Sequence, residues 1–207
     1  MSKNKISKNW LSERKRDFYF NQSKIQGYRS RSAFKLIEID KKFNFLSDKK
    51  LFLDLGSRPG GWSQVASKKI KNGKILSIDI EEMLPIKNVF FQKGDFTDPK
   101  IQNNIMSFFN TKIDILVSDM APNTTGNKDL DSIKTGNLCL NALEFSCKIL
   151  KSKGVFVSKF FMGSIFQDIK NEAKRVFEDV IFYKPKSSRQ ESKEIYVYCK
   201  KLRTRNV

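Results

Sequence analysis

Leu51-Phe52-Leu53-Asp54-Leu55-Gly56-Ser57-Arg58-Pro59-Gly60-Gly61-Trp62 is the stretch that decides the fold. Apolar residues at 51–53 and 55 read as a buried strand, and the glycines let the backbone turn and approach a ligand with no Cβ in the way. Val65, Ala66 and Ile70 place an apolar face on a helix that follows. Strand, glycine turn and helix make up the mononucleotide half of a doubly wound α/β fold, whose ligands lie outside the carboxyl ends of the strands. Trp62 stands where a phosphate-binding loop needs lysine, and the G-x-G-x-x-G spacing of dehydrogenases is absent. An ordinary tight βα turn is the bland alternative.

Working outward, strand-like runs recur at 50–55, 74–79, 88–92, 113–118, 154–160, 180–184 and 194–199. Helical patterns fall near 62–71, 99–109, 131–151 and 163–178, and another over 33–43 with Ser30 or Ser32 as its cap and Phe34, Ile37 and Phe43 inward. Strands alternating with helices imply a mainly parallel sheet covered on both faces. The last two runs leave no room for a helix between them and should pair antiparallel. Seven strands with a terminal antiparallel pair resemble the α/β, Rossmann-like sheet of the S-adenosylmethionine-dependent methyltransferases, and that resemblance implies the order 3-2-1-4-5-7-6. Three segments are expected: a basic aromatic arm at 1–31, the catalytic domain at 32–201 and a short basic tail at 202–207.

The chain of 207 residues has 40 basic and 22 acidic side chains, a net charge of +18. Such an excess points to a polyanionic partner. Residues 1–31 hold nine bases and two acids, with Trp10, Phe18, Tyr19, Phe20 and Tyr28 interleaved. That mixture suits an arm that contacts phosphates and stacks on bases, and equally an amphipathic helix docked on the core. No apolar run is long enough to span a membrane, and the start lacks a signal-peptide apolar region, so a cytoplasmic protein with no membrane partner is expected. The absence of histidine removes imidazole bases, Ser–His–Asp triads and most zinc sites. Cys139, Cys147 and Cys199 show no metal-binding spacing, so no metal is expected.

The chemistry-bearing residues collect at the carboxyl edge of this sheet. Asp54 lies inside the end of the first strand, Asp79 ends the second, Asp95 follows the third and Asp119 ends the fourth. An acid after the second strand suits a ribose diol, and one after the third an adenine amino group; beside the glycine turn, this favours S-adenosylmethionine. Taken singly, each aspartate also reads as a helix cap or a solvated loop acid. Lys159 ends the fifth strand, and Glu194 begins the seventh beside it, which puts a lysine between two carboxylates, Asp119 and Glu194. A structural ion-pair network is the alternative reading.

Arg29-Ser30-Arg31-Ser32-Ala33-Phe34-Lys35-Leu36, the 54–62 loop, Ser118-Asp119-Met120-Ala121-Pro122-Asn123, Ser158-Lys159-Phe160, and Ser187-Ser188-Arg189 through Glu194-Ile195-Tyr196 together resemble the FtsJ/RrmJ family of ribosomal RNA ribose 2′-O-methyltransferases, over roughly residues 10–200. The resemblance implies a Lys-Asp-Lys-Glu catalytic tetrad at Lys35, Asp119, Lys159 and Glu194. It implies cofactor contacts at Gly60, Trp62, Asp79, Asp95 and Asp119. It further implies a uridine in 23S rRNA as substrate, methylated in the assembled 50S subunit, and S-adenosylhomocysteine as product; a monomer is expected. Two departures stand out: Ser57-Arg58 where the family has small residues, putting a cation near the sulfonium, and the apolar Phe161-Met162-Gly163 after the catalytic lysine. A base methyltransferase is disfavoured, because no cysteine falls at this edge and Met120-Ala121-Pro122 is not an amino-group motif. A non-enzymatic RNA-binding assembly factor on the same fold is the alternative function.

Overall fold

The computed structural model describes residues 17–122 and 125–203; the arm residues 1–16, with Trp10, and Asn123 of the fourth-strand motif lie outside them, as do 204–207 of the tail. The elements are α1 (Phe18–Ile25), α2 (Ser32–Phe43), β1 (Leu51–Leu55), α3 (Gly61–Lys69), β2 (Lys74–Asp79), β3 (Phe90–Lys93), α4 (Pro99–Phe109), β4 (Ile113–Ser118), α5 (Lys128–Ile149), β5 (Leu150–Phe161), α6 (Phe166–Val176), β6 (Phe177–Tyr183) and β7 (Glu194–Leu202). One seven-stranded sheet has the order β3-β2-β1-β4-β5-β7-β6, as the resemblance implies. Strands β1 to β5 pair in parallel, and β7 runs antiparallel between β5 and β6.

Successive strand residues point to opposite faces, and here both faces are dry. Phe52, Ile75, Ile115, Val117 and Val157 pack on one side against Leu36 and Ile39 of α2 and Val65 and Ala66 of α3. Leu53, Leu76, Leu116 and Phe156 pack on the other against α4, α5 and α6. A fully buried phenylalanine such as Phe52 contributes on the order of 2–3 kcal/mol. This double-sided burial explains why the central strands read as largely apolar runs, interrupted by Asp54, Ser77 and Asp114.

Several expected boundaries shift. The buried face of α2 is Ala33, Leu36, Ile39 and Asp40, with Ile37 and Phe43 half-buried at its margin against the same core and Phe34 turned to α1. Neither serine caps it: Arg31 is the N-cap residue, and the Ser30 and Ser32 hydroxyls bond each other at 2.6 Å. Phe34 instead receives Tyr19 and Tyr28 at ring distances of 5.5 and 5.7 Å, which docks α1 on α2. Asp40 turns inward because its Oδ1 accepts the Phe45 and Leu46 N–H groups that end the helix. Strand β5 begins at Leu150, ahead of the predicted 154, with an irregular register against β4 between Ile113 and Ile115. Helix α6 stops at Val176, because Phe177 is fully buried in extended backbone as the first residue of β6.

Candidate active site

Two groups of residues meet at the carboxyl edge. On the β1–β2–β3 side lies a cavity of about 490 Å³ lined by the turn at Gly56 and Arg58, by Asp79, Asp95 and Asp119, and by apolar surface from Ile78, Ile80, Phe96, Met120 and Leu138. Gly56 sits at φ +72°, and a Cβ there would overlap the Met120 side chain, so glycine is required for the turn to pass the end of β4. Asp79 accepts hydrogen bonds from the Arg58 N–H at 2.9 Å and the Glu81 N–H at 3.0 Å. Asp95 accepts from the N–H and hydroxyl of Thr97 at 2.9 and 2.7 Å. The Arg58 guanidinium pairs with Glu81 at 2.5 Å, which neutralises the unexpected cation of the turn. Carboxylates with lone pairs to spare, set among apolar walls, suit an adenosine: a flat base, a diol and an amino group.

Gly60 and Trp62 do not line this cavity. Gly60 adopts φ +111° at the N-cap of α3, against Ile86, Met83 and Arg29. Trp62 is 2% exposed; its indole N–H donates to the Ser32 carbonyl at 2.9 Å, and its ring lies 5.7 Å from that of Tyr196. In this structure it is a pillar between the two groups.

On the β4–β5–β7 side the four tetrad residues come together as two ion pairs. Lys159 Nζ lies 3.0 Å from Asp119 Oδ1 and donates to the Asp119 carbonyl at 2.6 Å. Lys35 Nζ donates to Glu194 Oε2 at 2.7 Å, and the Ser188 hydroxyl to Oε1 at 2.6 Å. Lys159 therefore does not sit between two carboxylates. The reason is register: Lys159 faces Tyr196 across the β5–β7 pair, whereas Glu194 faces Phe161.

Tyr196 is a site residue that the sequence pattern alone does not single out. It is fully buried, its hydroxyl donates to Asp119 Oδ1 at 2.8 Å, and Lys35 Nζ lies 5.9 Å from its ring centre. Burial and the nearby Asp119 and Glu194 carboxylates push its phenol well above the usual range, so it stays a proton donor. For Asp119, burial pushes upward, but Lys159, Lys35 and the Tyr196 hydroxyl outweigh it and hold the carboxyl below the usual range. The available signal is period-two spacing, since Tyr196 and Glu194 share a strand face.

The arginines of the Arg29–Leu36 motif are internally engaged. Arg29 donates to the carbonyls of Pro59, Leu84 and Pro85, tying α2's approach to the glycine turn. Arg31 bonds Asp17 and the Ser187 carbonyl, and Glu38 accepts the N–H groups of Lys186 and Ser187 at 2.6 and 3.0 Å. The β6–β7 loop that carries Ser188 is thus anchored on α2, which carries Lys35.

An open α/β sheet with a nucleoside-sized cavity at its carboxyl edge, beside a buried lysine–aspartate pair, has the layout of a nucleotide-type site. The model of the FtsJ-like methyltransferase family matches residues 28–202, and the chain belongs to that family; its methyl donor is S-adenosylmethionine. It is 51% identical over 203 residues to a ribosomal RNA large subunit methyltransferase E of Pelagibacter ubique, covering 98% of this chain and 100% of that one. A protein of the same name from Rickettsia akari is 45% identical over 197 residues, 92% of this chain and 87% of the relative. A crystal structure of a putative ribosomal RNA methyltransferase from Plasmodium falciparum superposes with a TM-score of 0.76 at 36% identity, covering 84% of this chain and 98% of that chain.

Proposed function

We propose that this protein transfers a methyl group to the ribose 2′-hydroxyl of a uridine in large-subunit (23S) rRNA, within the assembled 50S subunit, acting as a monomer in the cytoplasm. The observation that carries this reading is the Lys159–Asp119 pair at the cavity rim. An ammonium has three donors, and Asp119 takes two of those of Lys159 through its carboxylate and its carbonyl. The third remains for a hydroxyl oxygen. S-adenosylmethionine, when bound, supplies an electrophilic methyl on a sulfonium that departs neutral, so no general acid is needed.

The chain's own residues have two tasks: to aim a lone pair at the methyl carbon, which needs an approach of about 3–3.5 Å, and to disperse the charge as the hydroxyl proton departs to solvent water. Lys159 orients the oxygen and stabilises its developing negative charge. Asp119, ionised and fixed by Tyr196, orients Lys159. Lys35, held by Glu194, adds a second cation on the substrate side. Asp79 and Asp95 take the ribose and the adenine of the cofactor. Gly60 and Trp62 complete the cofactor site by shaping the turn and supporting Tyr196. The basic arm, and Lys184, Lys186 and Arg189 of the β6–β7 loop, bind the RNA backbone, with 32–201 as the catalytic domain and 202–207 as its tail.

The test is nucleoside mass spectrometry of 50S subunits from a strain lacking the protein, before and after incubation with it and S-adenosylmethionine. One new 2′-O-methyluridine is expected in 23S rRNA. A methyl group on a base, or none, refutes the proposal.

A further inference from the structure

Asp54 is a buried acid to which the methyl-transfer reaction gives no task. It lies in the apolar layer between β1 and α3, fully shielded from solvent, with Ser77 and Val117 as its register neighbours. Its Oδ2 accepts from the Ser63 hydroxyl at 2.6 Å, and that hydroxyl is 2.7 Å from the hydroxyl of Ser77. Its Oδ1 is buried without a partner, and so is the hydroxyl of Ser57 in the turn that follows β1. A carboxylate can accept about four hydrogen bonds, and here Ser63 alone supplies them, through its hydroxyl and its N–H, so a buried charge is poorly compensated and the group takes up a proton instead.

The charged surroundings act in the same direction. Two residues beyond its register partners, at the carboxyl ends of β2 and β4, stand Asp79 and Asp119, both lining the cavity. The cations of this sheet edge are already engaged: Lys159 with Asp119, Lys35 with Glu194, and Arg58 with Glu81. Helix α3 presents Ser63 to Asp54, while its lysines lie in the last turn, Lys69 on Asp40. Burial first, then Asp119 and Asp79, push the Asp54 carboxyl up to about 7 against the opposing bonds from the Ser63 hydroxyl and N–H. The chain has no histidine, so no side chain of ordinary titration competes between pH 5 and 8.

We infer that Asp54, buried behind the cavity rather than lining it, is a charge-selecting positioning residue of the cofactor site: it holds a proton in the free protein and releases it to solvent when the cationic methyl donor enters the cavity lined by Asp79 and Asp119. The ionised carboxylate then favours the sulfonium of S-adenosylmethionine over the neutral thioether of S-adenosylhomocysteine. Donor affinity should rise with pH, because below about 7 the proton must be expelled, and level off above. This inference depends on the family's cofactor and not on the RNA target.

Titration calorimetry in buffers of different ionisation enthalpy counts the protons exchanged. S-adenosylmethionine should release about half a proton near pH 7, and its affinity should rise roughly five- to tenfold from pH 6 to 8, about tenfold being the full span for one group that titrates near 7 and must lose its proton. S-adenosylhomocysteine should show little of either, and Asp54→Asn should lose both. The donor's own amino group contributes alike to protein and variant and drops out of the difference. In the free protein the raised carboxyl stabilises the fold fully below its ordinary range near 4, and that stability is lost as pH rises through about 7. Asp54→Asn should flatten this dependence in thermal melts. Ser63→Ala, which removes the hydroxyl's opposing hydrogen bond, should move proton release to higher pH and decides the matter if the first variant fails to fold. Equal release with both ligands, release that survives in Asp54→Asn, or an unmoved profile in Ser63→Ala overturns the inference.

Discussion

Asp79 and Asp95, on the β2–β3 side of the carboxyl edge, each bond an N–H two residues further along the chain, at Glu81 and Thr97. Asp119 and Glu194, on the β4–β7 side, find their partners 40 and 159 residues away, at Lys159 and Lys35. The first pair stands in an open cavity and keeps lone pairs available for a ligand. The second is mostly closed: Lys159 and Glu194 are 7% and 8% exposed, and each charge is already matched by an opposite one. A site that binds a diol and an amino group needs spare acceptors in contact with water. A site that steers a proton and a developing charge needs fixed charges in a dry place, where electrostatic interactions are strong. One sheet edge supplies both, because its left half ends in turns and its right half is covered by α2 and the β6–β7 loop.

This contrast predicts opposite kinetic signatures. The largest effect belongs to Lys159→Ala, which removes orientation and charge stabilisation together. Methyl transfer to 50S subunits should fall at least about a hundredfold, with circular dichroism and cofactor affinity unchanged. Parental activity in that variant would break the assignment of the dry half to chemistry. Lys35→Ala should also lose activity, and Glu194→Ala less, because its role is to hold Lys35.

Next comes Asp79→Ala, which should weaken S-adenosylmethionine binding by about 1–3 kcal/mol while leaving the rate at saturation intact, the range for a charge-assisted hydrogen bond. Calorimetry checks the affinity, and single-turnover kinetics check the rate. A fall in saturated rate with affinity unchanged would merge the two halves into one.

Tyr196→Phe removes one hydrogen bond to an ionised acceptor and leaves the ring between Trp62 and the tetrad. A rate loss of about tenfold, corresponding to roughly 1.5 kcal/mol, is expected with little change in melting temperature. If the melting temperature drops and the rate does not, Tyr196 serves packing alone.

The smallest effect concerns the arm. Removing residues 1–16, which carry six bases and one acid, should lessen the slope of log RNA affinity against log salt by about 0.7 for each phosphate that the arm neutralises. Cofactor binding should not change. Removing residues 1–28 should add a loss of stability, because Tyr19 and Tyr28 brace Phe34. An unaltered slope in both would leave the arm as a brace only.

Much was legible in the chain itself. Apolar runs such as 51–53 and 115–117, broken by glycine turns and helical periods, determined the strands, the antiparallel last pair and the acids that follow strand ends, while the strand order came from the resemblance to the methyltransferase sheet. These signals are local: strand alternation, helix period and a turn's need for glycine act over a few residues. The bonds of Asp79 to Glu81 and of Asp95 to Thr97 belong to the same class.

Only the tertiary structure decided how the charges are shared. That Lys159 takes Asp119 and Lys35 takes Glu194 follows from the β5–β7 register, which sets Tyr196 and not Glu194 opposite Lys159. That Trp62 faces Tyr196 rather than the cavity follows from the bond its indole makes with Ser32, at the start of a helix 30 residues earlier. Arg29 and Arg31, readable as free RNA contacts, are drawn onto backbone carbonyls and Asp17 by the docking of α1 and α2. A partner dozens of residues away is reached only when strand register and helix packing bring it within about 3 Å, a condition that no local pattern encodes.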